Sequence, residues 1–178
     1  VIPHRSQYNV AAGISSFVVS INLEFSASGV GTTVQQFQSG YTYVLSKGNS
    51  TSSANHPFRL FLDYNAGSIR WNASIYDGVS ATLYTAQISD ATLTSSPVGS
   101  SRYVEVRVLY FDTGTAMRLQ LDVYDSSTGS QIGTTAETAI GATWSLTSSS
   151  PWIIGAYPST GGYPTIAATY EFLMAKVS

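Results

Sequence analysis

Cysteine is absent from the 178 residues. That excludes disulfides, thiol catalysis and zinc–thiolate sites. Charge is scarce as well. Asp, Glu, Lys and Arg make up 10% of the chain, against about 25% in an average globular domain. The eight Lys and Arg form no basic run. Nucleic-acid backbones are held by clustered cations, so nucleic acid is not an expected partner. No apolar run approaches the roughly 18 residues that span a bilayer, so membrane insertion is not expected either. Histidine is reduced to His4 and His56. Both fall in segments that read as arm or loop, where exposure to solvent is the expectation. No Gly-x-Ser-x-Gly elbow is present. Helix signals are nearly missing, because the alanines sit among Thr, Ser and Gly, which are poor helix formers.

Hydrophobic residues make up 43% and the net charge is −2. That composition can build a core in one domain of this length without staples, and it excludes disorder. Ser, Thr, Gly and Tyr stand at the surface where charges usually would, a balance commoner on exposed surface proteins than in cytosolic enzymes. The start, Val1-Ile2-Pro3-His4-Arg5, is no signal peptide, and a processed or excised segment is expected.

Strand signals recur along the chain as short β-branched and aromatic runs bounded by Gly, Asn, Asp, Ser or Pro. In Ser16–Phe25, Val19, Ile21, Leu23 and Phe25 alternate with Ser20, Asn22 and Glu24, the pattern of a half-buried strand. Further strands are expected at Tyr41–Ser46, Phe58–Asp63, Ser68–Ile75, Ala81–Ile88, Arg102–Phe111, Met117–Tyr124, Trp152–Ala156 and Thr169–Val177. Asn65-Ala66-Gly67 and Asp112-Thr113-Gly114 read as tight hairpin loops, and Asp125–Gly129 as a longer one. Gly48–Pro57 and Ser159–Pro164 read as long loops. Nine or so strands at this spacing predict an all-β sandwich or barrel.

Taken in order, several segments resemble the concanavalin A-like superfamily, its laminin-G-like domains in particular. They are the turn Leu45-Ser46-Lys47-Gly48, the strands Phe58–Leu62, Ser68–Trp71, Arg102–Val108 and Met117–Tyr124, then Ile153-Ile154-Gly155 and Thr169–Val177. Three departures stand out, the first being that Arg102–Val108 lacks the tryptophan motif with which the family's strand opens. The glycine expected after Val123-Tyr124 is delayed to Gly129, and the last strand lacks its leading glycine. The resemblance implies a two-sheet antiparallel jelly-roll sandwich over residues 14–178, with residues 1–13 as an N-terminal arm.

A glycosidase needs two carboxylates close together. In the glucanases of this superfamily they lie at alternating positions of one strand, and nothing here matches. Glu105 stands between valines with Arg107 on its face, which predicts a surface pair, so no enzyme is expected. Calcium is the one metal to consider, because it takes six to eight oxygens and laminin-G-like domains often carry it on their rim. Asp63, Asn65 and Asp77 are the candidate donors, with Asn72 and Asp112 behind them. All of them also suit turns. Aromatic residues give the binding signal, since sugar rings stack on Trp and Tyr faces. Tyr157 and Tyr163 stand in a loop stiffened by Pro158 and Pro164, and Trp71 and Tyr76 complete the candidate set. Trp71, Trp144 and Trp152 are, however, expected mainly in the core or packed at an edge.

These features lead to a non-catalytic carbohydrate-binding or adhesion module, extracellular or on a virion surface, with a glycan or a surface protein as partner. The alternative is a structural phage virion protein, a capsid decoration or tail-fibre domain, that acts through protein–protein contacts. An accessory module of a secreted enzyme is a third possibility. Assembly is expected as a homo-oligomer or on a larger particle. The arm either adds to a neighbour's open sheet edge or pairs with the last strand of its own domain.

Overall fold

The computed structural model describes residues 16–25, 42–48, 57–65, 68–77, 79–90, 102–113, 115–141, 152–154 and 171–177. Ten strands and no helix are found among them. They are β1 (Ser16–Phe25), β2 (Thr42–Lys47), β3 (Phe58–Asn65), β4 (Ser68–Asp77), β5 (Thr82–Ser89), β6 (Arg102–Asp112), β7 (Met117–Asp125), β8 (Ala136–Ile140), β9 (Trp152–Ile154) and β10 (Glu171–Val177). The arm at 1–13 and the loop at 159–164 lie outside the described residues.

The strands form two five-stranded antiparallel sheets, ordered β10-β1-β6-β7-β8 and β5-β4-β3-β2-β9. Each sheet contains a meander. In the second, β3 and β4 turn tightly, with Asn65 paired to Ser68. β1 lies between β6 and β10, so strands far apart in sequence pair with one another. β10 is therefore the strand that borders β1.

Alternation makes the core. Val19, Ile21 and Leu23 of β1, Val104, Val106 and Val108 of β6, and Leu119, Leu121 and Val123 of β7 line one sheet's inner face. Phe58, Leu60 and Leu62 of β3 and Ile69, Trp71, Ala73 and Ile75 of β4 line the other. Aromatic rings bridge the layers. Phe17 stacks on Tyr110 with centroids 5.5 Å apart and meets Phe58 edge-on at 6.5 Å. Phe58 in turn meets Trp152 at 5.3 Å. Edge-to-face and offset contacts at these distances suit the ring quadrupoles.

In β2 the register slips between Tyr43 and Leu45, so that both Val44 and Leu45 enter the core. A bulge of this kind re-aims the side chains that follow it. After it Ser46 points outward opposite Arg59, and Lys47 points inward opposite Phe58.

Candidate functional site

Apart from Lys47 and Asp77, the buried inward residues of the second sheet are apolar, and its outer face is the more polar one. The outer face is made on β4 by Ser68, Arg70, Asn72, Ser74 and Tyr76; on β3 by Arg59 and Asp63 with the apolar Phe61; on β5 by Thr85, Gln87 and Ser89 with the apolar Leu83. Facing residues are joined across strands. Arg70 donates from Nε to Asp63 Oδ1 at 2.9 Å and also pairs through Nη2 with Oδ2, a bidentate clasp. Arg70 Nη1 donates to Gln87 Oε1 at 3.2 Å. Asn72 Nδ2 donates to Asp63 Oδ1 at 3.0 Å, and Gln87 Nε2 donates to Asn72 Oδ1. Ser74 and Thr85 share a hydroxyl hydrogen bond of 2.8 Å.

The result is a strip with a floor and a side. Asn72 and Ser74 are buried at the floor, Asp63, Arg70 and Tyr76 are half-buried, and Thr85 and Gln87 are exposed along β5. From Arg70 to Tyr76 the strip runs about 20 Å, at roughly 3.3 Å per residue. Toward β2 the same face closes. Tyr43, Ser46, Arg59 and Phe61 are buried there, with the Arg59 guanidinium 4.9 Å from the Phe61 ring centre.

The candidates named from sequence fall in different places. Tyr76 stands at one end of the strip. Trp71 is fully buried in the core, where its Nε1 donates to Asp90 Oδ2 at 2.8 Å, so its ring faces are covered. Tyr157 and Tyr163 lie outside the described residues, as does the Asn65 side chain. Asp63 is clasped by Arg70. Asp77 closes the β4–β5 turn, accepting from Val79 N at 2.9 Å and from Ser80 Oγ at 2.8 Å. Among the described residues no three metal-ligating side chains gather. From sequence, aromatics carry the binding signal, Asp63 and Asn72 enter only as calcium donors, and Arg70 and Gln87 go unmarked. The available signal was the alternation in Arg70-Trp71-Asn72-Ala73-Ser74, which puts three polar side chains on one face.

A second polar group lies on the outer face of the other sheet. Arg107 clasps Glu105 through Nε at 2.7 Å and Nη2 at 2.9 Å, and Ser20 Oγ donates to the same carboxylate at 3.0 Å. Hydrogen bonding to Arg107, aided by Ser20 and opposed by burial, holds the Glu105 carboxyl below its usual range. Arg107 also lies 4.8 Å from the Tyr124 ring centre. Across β6 and β7, Arg107 faces Asp122 and Glu105 faces Tyr124. Glu105 and Asp122 are thus diagonal neighbours, about 7–8 Å apart at the backbone. A search along single strands misses this pair because pairing between strands creates it. Asp122 accepts from Gln120 Nε2 at 2.6 Å and from Thr135 Oγ1.

No protein-family model matches this chain, and no curated protein matches it.

Proposed function

We propose that the chain is a non-catalytic carbohydrate-binding module with a concanavalin A-like, laminin-G-like jelly-roll fold, displayed outside a cell or on a virion. The observation that carries the reading is the polar strip in which Asp63, Arg70, Tyr76, Thr85 and Gln87 stand over buried Asn72 and Ser74. Sugar hydroxyls need donors and acceptors held in fixed directions, and the cross-strand hydrogen bonds fix these amides, hydroxyls and charges before any ligand arrives. Tyr76 supplies an aromatic face for a ring. The non-catalytic part draws on Glu105, which Arg107 keeps ionised. A glycosidase also needs a protonated acid, usually a carboxyl whose pKa is raised.

Glycan-array binding tests the reading. A defined glycan should bind, Tyr76→Ala and Gln87→Ala should each weaken it by roughly tenfold, and Glu105→Gln should leave it unchanged. Calcium and a chelator should give equal binding, because Asp63 and Asp77 are already engaged within the sheet and turn. Glycan turnover lost on Glu105→Gln or Asp122→Asn would overturn the non-catalytic reading. A second reading, a structural virion protein acting through protein–protein contacts, draws on the uncharged edge strand β5. An array without binding, together with co-purification on a particle, would favour it.

A further inference from the structure

Among the described residues each sheet ends in two edges, and three of the four carry the usual protection. β9 is described over three residues, β8 is five residues and holds Glu137, and β10 holds Glu171 and Lys176. Short length and charge both discourage edge-to-edge pairing. β5 has neither. Its eight residues, Thr82-Leu83-Tyr84-Thr85-Ala86-Gln87-Ile88-Ser89, contain no charge and no proline. Among the described residues β4 is its only strand neighbour. The turn leading into it exposes Val79 at 77%, and Leu83 is 42% exposed.

The direction of its free backbone groups follows from one hydrogen bond. Asp90 N donates to Ile69 O at 2.8 Å. These two residues stand opposite each other, one step past the Arg70–Ser89 pair. Hydrogen-bonded and non-hydrogen-bonded pairs alternate along an antiparallel ladder. Thr82, Tyr84, Ala86 and Ile88 therefore turn their N–H and C=O groups toward β4. Leu83, Thr85, Gln87 and Ser89 turn theirs away from β4, with Gly133 lying close beside the Ser89 carbonyl.

We propose that β5 pairs antiparallel with β5 of a second copy, about a two-fold axis at Ala86. This register sets Leu83 against Ser89 and Thr85 against Gln87 of the other copy, and the reverse. The two Thr85–Gln87 pairs then exchange about four inter-chain hydrogen bonds, and the Leu83–Ser89 pairs, beside Gly133, extend the ladder at its ends. On the inner side Tyr84 faces Ile88, an aromatic and β-branched pair that favours sheets. On the outer side the facing residues are neutral, so nothing repels. A two-fold contact of one surface with itself closes after two copies. The inference is independent of the glycan reading, although the pairing would set two polar strips side by side.

Sedimentation equilibrium and amide hydrogen exchange over a concentration series test it on the full chain without any glycan. The expected result is a dimer, with the amides of Leu83, Thr85, Gln87 and Ser89 gaining protection as it forms. Thr85→Pro removes an edge N–H that β4 does not use, and should weaken the dimer roughly thirtyfold. Thr85→Lys should weaken it too, by charging the edge, with an unchanged circular-dichroism spectrum. A monomer at every concentration, a dimer indifferent to both substitutions, or protection that bypasses those four amides would overturn the inference.

Discussion

At the scale of single residues, the bulge in β2 places two unusual side chains. Ser46 Oγ is buried with no hydrogen-bond partner among the described residues. Burying an unsatisfied hydroxyl costs about 1–3 kcal/mol. Ser46→Ala should therefore raise stability by about 1 kcal/mol, measured by denaturant unfolding. Lys47 is fully buried, with Nζ 5.5 Å from the Trp152 ring centre. Burial pushes its ammonium below the usual 10.5. Between the folded pKa and 10.5 the unfolded chain keeps a proton that the native chain has lost, so stability rises with pH. Tyr110 acts in the opposite direction. Burial, then the negative charges of Asp112 and Asp77, push its phenol above 10.0. Beyond that point the unfolded chain ionises first and stability falls. The melting temperature should accordingly climb with pH on the alkaline side until about 10.0, where Tyr110 takes over, and then decline. Lys47→Met should flatten the climb, and Tyr110→Phe the decline. Glu105 adds an acid limb, with stability present above 4.5 and lost as pH falls through its lowered pKa. The Arg107 and Glu105 side chains are 45% and 23% exposed, so solvent screening keeps that contribution to about 0.5 kcal/mol.

At the scale of elements, two glycines in one connection separate conformational strain from crowding. After β7 the chain turns at Asp125, whose Oδ1 accepts from Ser127 N and Thr128 N, and Gly129 N closes onto Asp125 O at 2.8 Å. Gly129 has φ +71° with open space around it, while a Cβ on Gly133, at φ +69°, would stand 2.7 Å from Ile88 Cγ2. Gly129→Ala should cost about 1 kcal/mol for the left-handed backbone alone. Gly133→Ala adds a clash with a core side chain and should cost about 2–4 kcal/mol; thermal unfolding of the two variants checks the order. Much of this level was legible in the sequence. Strict alternation marked β1, β6 and β7, and Asn-Ala-Gly marked the β3–β4 hairpin, because side-chain period and turn chemistry are local properties. β8 was not legible. Ala136-Glu137-Thr138-Ala139-Ile140 has weak strand propensity and is held by its ladder to β7. The Val44 bulge escaped notice for the same reason, being a property of the pairing. The polar strip was legible one strand at a time, but not as a joined surface, and the diagonal Glu105–Asp122 pair depends on the register of β6 against β7.

At the scale of the whole molecule, the two sheets divide the work. Inner faces carry the apolar mass, tied across the layers by Phe17, Phe58, Tyr110 and Trp152. The outer faces can then hold hydrogen-bonded polar rows that the core does not need. Trp71 joins the two levels, since its ring fills the core beneath Asn72 while its Nε1 holds Asp90. Trp71→Phe should cost about 2–3 kcal/mol, through lost volume and the lost Nε1 hydrogen bond to buried Asp90, a loss to be read in guanidinium unfolding. The central claim concerns the face above that core, and NMR titration of the labelled chain with an array-selected glycan addresses it most directly. The account predicts saturable shifts confined to Asp63, Arg70, Asn72, Ser74, Tyr76, Thr85 and Gln87, abolished in Tyr76→Ala. Saturable shifts centred on Ser20, Glu105, Arg107 and Tyr124, with the strip undisturbed, would contradict it.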